Sequence, residues 1–215
     1  MRAWRLWIWL LALMLAGAAV GAAPLTRTQA LAAIAQPDAE LRLTGVERLG
    51  EIGVMADVDK LLVGLRDADR RVRETSAAAV WKVWGRSGDP VVDKLFARGL
   101  QQMQASALQD ALATFSEIVR RKPGFAEGWN KRATLYYLLD QNDKSLRDCD
   151  EVLKRNPNHF GALSGAGQIH LQRGQITPAL QFLRRALQIN PNLEGPAQLI
   201  PLLEQHVETE DKHRI

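Results

Sequence analysis

Val119-Arg120-Arg121-Lys122-Pro123, Leu153-Lys154-Arg155-Asn156-Pro157 and Leu187-Gln188-Ile189-Asn190-Pro191 follow one pattern. An apolar residue leads, three mostly polar or basic residues follow, and a proline closes the run. The prolines stand 34 residues apart, twice over. Cationic side chains favour the negative C-terminal end of a helix, and proline cannot continue one. A helix therefore stops at the same point in three successive units. A fixed period of this length marks stacked helical units, none of which can bury its apolar face alone.

Counting back from each proline sets the units at 92–125, 126–159 and 160–193. Their eighth residues are Gly99, Ala133 and Gly167, and their twentieth are Ala111, Ser145 and Ala179. Small residues there let two antiparallel helices approach closely. Larger ones fill the space between them: Leu95, Trp129 and Leu163 at position four, Phe115, Cys149 and Leu183 at position twenty-four. Cys149 thus falls on a core position and reads as a buried structural thiol rather than a reactive one.

This pattern resembles the tetratricopeptide repeat, a 34-residue helix-turn-helix module. The first unit departs from it most, with Gln102 at position eleven, where the second unit has Tyr136. Ile118 and Val152 stand at position twenty-seven, where the family usually has alanine.

A second period lies upstream. Leu41 to Leu49 aligns with Val72 to Val80 at an offset of 31, and each segment follows an acidic turn, Pro37-Asp38 or Asp67-Ala68-Asp69. This resembles a short HEAT-like repeat, with an acidic turn, Val-Arg and an Ala-rich helix. Asp67 and Asp69 can cap the next helix, and Arg73 can hold the turn from inside. The helices expected are Thr28 to Ala35, Ala39–Ile52, Asp57–Leu65, Arg71–Trp84, Pro90 to Gln104, Ala107–Arg121, Ala126–Leu139, Asp143–Arg155, Phe160–Arg173, Pro178–Gln188 and a capping helix near Pro196–Val207. Glu194-Gly195-Pro196 breaks the period, and Glu208–Ile215 reads as a frayed polar tail. The two resemblances imply one all-α, right-handed αα superhelix. HEAT-like repeats over 24–91 run into three tetratricopeptide units over 92–193, a capping segment over 194–215 follows, and the helix near 90–104 is shared between the two repeat types.

The first residues read differently. Arg2 and Arg5 precede an uncharged run from Leu6 to Val20, followed by Gly21, Ala22 and Ala23. These are the charged, apolar and small-residue regions of an export signal over 1–22. Processing near Ala23 makes the body periplasmic or secreted; retention makes the segment an N-terminal anchor with the body still outside the cytoplasm. Without Arg2 and Arg5 the 28 cations fall to 26 against 24 acids, so the net +4 overstates any affinity for nucleic acid.

Catalytic signatures are few. The sequence contains no Gly-Lys-Ser/Thr phosphate loop, no Gly-x-Ser-x-Gly elbow, no Cys-x-x-Cys and no zinc-type pair among His159, His170, His206 and His213. Asp148, Asp150 and Glu151 cluster on one helix and read as a solvated convex face. No metal or cofactor is expected. In the resembling family the first helix of each unit lines a concave groove. The resemblance places Asp93, Phe96, Leu100, Met103 and Gln104 there in the first unit, the first three apolar ones being as apt to face the HEAT-like helices. It places Glu127, Asn130, Thr134 and Tyr137 there in the second, and Ser164, Gln168 and Leu171 in the third. Gly161 and Gly165 stand where the family's carboxylate clamp needs cations, which excludes that version. The function expected is a non-catalytic, exported module that binds a protein or peptide. The alternatives are a structural subunit of an envelope complex and, last, an enzyme.

Overall fold

The computed structural model describes residues 23–213 of the 215. The expected export segment, 1–22, lies outside the described residues. Eleven α-helices and no strand occur among those residues. They are α1 (Arg27–Ala33), α2 (Ala39–Ile52), α3 (Val58–Gly64), α4 (Arg70–Trp84), α5 (Pro90–Gln104), α6 (Leu108–Arg121), α7 (Ala126–Leu138), α8 (Asn142–Arg155), α9 (Phe160–Gln172), α10 (Ile176–Ile189) and α11 (Glu194–His213). The expected elements are all present. Two ends differ from the sequence reading. Glu194-Gly195-Pro196 forms the first turn of α11, where proline's missing N–H costs nothing, and the expected tail continues that helix to His213.

The 31-residue period reappears in the hydrogen bonds. Asp38 accepts from the Glu40 and Leu41 amides and Asp69 from the Arg71 amide, so both acidic turns cap the helix that follows. Arg42 donates to the Gln36 and Pro37 carbonyls at 3.1 and 2.6 Å, and Arg73 donates to those of Asp67 and Ala68 at 2.8 and 3.0 Å. Each arginine thus holds its own turn from inside. Arg42 also grips Asp67 with two bonds of 2.7 Å, tying the first turn to the second.

The 34-residue period reappears in the backbone. Ser106, Asp140 and Gly174 all take left-handed φ angles of 58°, 58° and 68°. After them the amides of Ala107, Gln141 and Gln175 reach back five residues to the carbonyls of Gln102, Tyr136 and His170. This closure satisfies carbonyls that the end of a helix leaves unbonded, and it reverses the chain into the next helix. The small residues then do what close approach requires. A Cβ on Gly99 would meet the Phe115 ring at 2.6 Å, and one on Gly167 would meet Leu183 at 2.8 Å. The Ser145 hydroxyl donates to the Ala133 carbonyl at 2.8 Å, bonding α8 to α7 where they touch.

The junction between the repeat types departs from the sequence reading. Instead of one uninterrupted array handed on through α5, the chain folds back on itself. α5 packs along α6, whereas α4 packs on α2 and α3 and then leans across the starts of α7 and α9. The core of α1 to α4 is continuous with Phe160, Leu163 and Ala186 of the last unit. Trp84 stacks on His159 with ring centroids 4.3 Å apart, and Trp81 meets Phe160 edge-on at 5.2 Å. Arg66 donates to the Gln188 and Ile189 carbonyls, and Asn192 donates to the Leu65 carbonyl at 2.7 Å. Re-exposing a buried Phe-sized side chain costs about 1.5–3 kcal/mol. The docking of α4 therefore belongs to the fold, and it decides which part of the groove stays open.

Candidate functional site

The inner face is built by α7 and α9, with α8 behind them. Arg132 and Trp129 of α7 anchor its contact with α8. Arg132 grips Asp148 through bonds of 2.7 and 2.8 Å, its guanidinium lies 4.9 Å from the Trp129 ring, and the Trp129 indole N–H donates to the Pro123 carbonyl at 2.9 Å. Arg155 covers the other contact to that ring at 4.7 Å. Asp148 is thereby corrected: its carboxylate is buried and paired, not part of a solvated acidic face. Glu151 pairs with Lys154 and Arg155.

Glu127 is also corrected. It occupies the expected face of α7 but is only 2% exposed, because the docked end of α4 and the start of α9 cover it. Its carboxylate binds His159 Nε2 at 2.8 Å, Lys131 Nζ at 3.0 Å and the Asn130 amide at 3.2 Å. His159 Nδ1 accepts from the Ala162 amide at 3.0 Å, so the ring proton sits on Nε2 and donates to Glu127. Burial pushes the Glu127 carboxyl upward, but His159 and Lys131 outweigh it and hold the carboxyl below its ordinary range. Glu127 and Asn130 therefore position α9 against α7.

Beyond this network a cleft of about 160 Å³ opens between α7 and α9. Asn130, Ala133, Thr134 and Tyr137 form one wall, Gly161, Ala162, Gly165, Gln168 and Ile169 the other, and Ser145 and Cys149 the floor. Thr134 is exposed, with its hydroxyl donating to the Asn130 carbonyl at 3.1 Å. The Tyr137 hydroxyl accepts from Gln172 at 2.7 Å across the mouth. Of the seven residues predicted to bind, the structure brings Asn130, Thr134, Tyr137 and Gln168 together here. Ser164 and Leu171 do not line the cleft. The Ser164 hydroxyl is buried without a hydrogen-bond partner, and Leu171 packs against the Leu180, Leu183 and Leu203 cluster. In the first unit, Phe96 packs on Phe115 and Phe125, while Phe96 and Leu100 also line a shallow gap against Trp81 of α4.

Cys149 is 3% exposed at the cleft floor. Burial pushes its thiol up to about 12, with the Asp148 and Asp150 carboxylates adding to the effect. A thiol that stays protonated is a poor nucleophile. Ellman's reagent should therefore leave the folded protein unlabelled and titrate one thiol in denaturant; rapid labelling of the native protein would refute the assignment.

The tetratricopeptide repeat family model matches residues 130–194, the segment that contains this cleft. Over that segment the chain is similar to tetratricopeptide repeats. A TPR repeat-containing protein of Rhizobium etli is 32% identical over 126 residues, which cover 59% of this chain and 62% of that protein. The small glutamine-rich tetratricopeptide repeat-containing protein of Dictyostelium discoideum is 25% identical over 146 residues, covering 68% and 41%. The chain thus spans less than two thirds of the length of these curated relatives. Among solved structures, MamA superposes with a TM-score of 0.52 at 17% identity, covering 74% of this chain and 87% of that one. The first TPR of Spaghetti, bound to an Hsp90 peptide, gives 0.52 at 17% identity, covering 54% and 93%. At these identities the likeness to the solved structures is one of fold. The family model does not reach the first four helices, where the sequence resembles a HEAT-like repeat.

Proposed function

We propose that this chain is a non-catalytic interaction module that holds a short extended segment of a partner protein in the cleft between α7 and α9. The observation that carries the reading is the cleft itself. Its walls come from the first helices of two successive repeats, and its lining sets Thr134, Tyr137 and Gln168 around an apolar floor. A peptide backbone needs both donors and acceptors, which Gln168 and the Tyr137 hydroxyl supply, and an aromatic ring gives apolar contact area at low entropic cost. Solved relatives in fold carry peptides, among them the Spaghetti domain and the SycD chaperone of Yersinia enterocolitica with a YopD peptide. The residues that first suggested chemistry have structural duties: Cys149 in the floor, Asp148 in its pair with Arg132.

The docked α4 shortens the available groove. Trp81 lies against Gly161 and Lys131 and closes the groove on the side of α4. The segment bound is accordingly short. The charge and small-residue pattern of 1–22 supports placing the body outside the cytoplasm, and N-terminal sequencing of the natural protein tests this by reading a start near Ala23 or a retained Met1.

Gly165 offers a clean test of the cleft. A Cβ added there meets nothing nearer than the Cys149 sulfur at 4.0 Å, so a larger side chain enters the cleft without displacing a helix. Peptides selected from a random library on the immobilised protein should bind Gly165→Leu at least about tenfold more weakly, a loss of ~1.4 kcal/mol, with the melting temperature unchanged. Equal binding by that variant would move the interaction surface out of the cleft.

A further inference from the structure

A second pocket, of about 130 Å³, lies on the loop edge of the molecule. Beside Met55, which precedes α3, three connections converge on it: Arg86 and Ser87 after α4, Lys122 to Ala126 between α6 and α7, and Arg155, Asn156 and His159 between α8 and α9. Each contributes one cation. Arg86 donates to the Gly50 and Gly53 carbonyls, and Arg155 donates to the Pro123 carbonyl while pairing with Glu151. Lys122 makes no ion pair among the described residues. The acid in the lining is Glu127, whose charge is already met by His159 and Lys131.

Two further features need an acceptor. Trp84 and Asn156 both line this pocket and are 3% and 7% exposed, and the Trp84 indole N–H and the Asn156 side-chain amide have no hydrogen-bond partner. Buried N–H groups left without an acceptor cost stability, so such pairs are rare in folded proteins. The pocket also meets the start of α7, whose first turn has no side-chain cap and whose dipole favours a negative group. We propose that this pocket is an anion site that takes a carboxylate, with Trp84 and Asn156 donating one to each oxygen and Lys122 supplying the counter-charge. A singly charged group suits one uncommitted cation. A dianion would place its second charge beside Glu127. The site is separate from the α7–α9 cleft, so Gly165→Leu leaves it intact and the two readings fail independently.

Acetate is the probe. In a ¹H–¹⁵N correlation spectrum with sequentially assigned peaks, the Trp84 indole and Asn156 amide signals should move and saturate as acetate is added at constant ionic strength. Lys122→Gln, a change at a half-exposed position in a turn, should raise the apparent dissociation constant about tenfold. The proposal is overturned if chloride moves these signals as far as acetate does, if they stay still, or if Lys122→Gln binds acetate unchanged. Tighter binding of inorganic phosphate than of acetate overturns the assignment to a carboxylate.

Discussion

Glu127→Ala is expected to destabilise the protein by about 3–5 kcal/mol, the range for breaking a buried ion pair by removing one partner. The carboxylate is nearly sealed and meets three donors, of which His159 is fully buried and Asn130 almost so. Truncation leaves the Nε2–H of His159 without an acceptor and Lys131 without its partner, while Trp81 and Trp84 still close the site. Glu127→Gln keeps an oxygen for His159 and should cost less. Urea unfolding of both variants measures the difference, and a loss under about 1 kcal/mol for the alanine would mean that the network does not position α9. The same group bears on acid stability. A carboxyl held below its unfolded value stabilises the fold above that value, and its contribution disappears as pH falls through the folded value. Glu127, Asp57 and Asp67 are all held low. For Glu127 burial opposes the effect of His159 and Lys131; for the two aspartates the arginine bonds from Arg27 and Arg42 dominate. Asp69 is held at about 2 by Arg71. The melting temperature should stay nearly level from pH 7 to about 5 and drop below about pH 4, where unfolded carboxylates take up protons.

The periodic part of this fold was legible because each repeat solves the same local problem with local residues. Thirty-four residues separate Ser106, Asp140 and Gly174, and the same backbone reversal occurs at each. Only the last is glycine, so residue identity alone does not mark the turn, whereas spacing from the prolines does. The 31-residue turns were legible for the same reason, since Asp38 and Arg42 act within their own turn as Asp69 and Arg73 do. What periodicity does not carry is where one array meets another. Trp81 and Trp84 lie on α4, in the second of the 31-residue units, yet their ring contacts include His159 and Phe160, more than 70 residues later. Gly161 was read as the loss of a cation, and it is the space that admits the Trp81 ring, which a Cβ would meet at 2.5 Å. Glu127 was placed on the correct face of α7, but nothing in its own repeat reveals that α4 covers that face. The available signal was a pair of tryptophans three residues apart, more apolar bulk than an Ala-rich helix pair needs, opposite a unit that begins with Phe160-Gly161.

Gly167→Leu should be the most damaging change on α9, and its contrast with Gly165→Leu isolates the cause. Both glycines lie inside the same helix, so either substitution gains helix propensity, worth up to about 1 kcal/mol relative to glycine. Their surroundings are opposite. At Gly167 the added Cβ would stand 2.8 Å from two carbons of Leu183 and 3.4 Å from the Ala179 carbonyl, inside the contact between α9 and α10. Leu183 is itself 2% exposed and packs with Leu180 and Leu203, so it has no free rotamer to retreat into without disturbing the seat of α11. Overpacking of this kind typically costs about 1–3 kcal/mol, occasionally more, and a leucine adds three carbons beyond the clashing one. At Gly165 the cleft receives the side chain. Denaturant midpoints should therefore fall clearly for Gly167→Leu and hold or rise for Gly165→Leu. Equal midpoints would mean that position eight of the third repeat does not set the distance between α9 and α10.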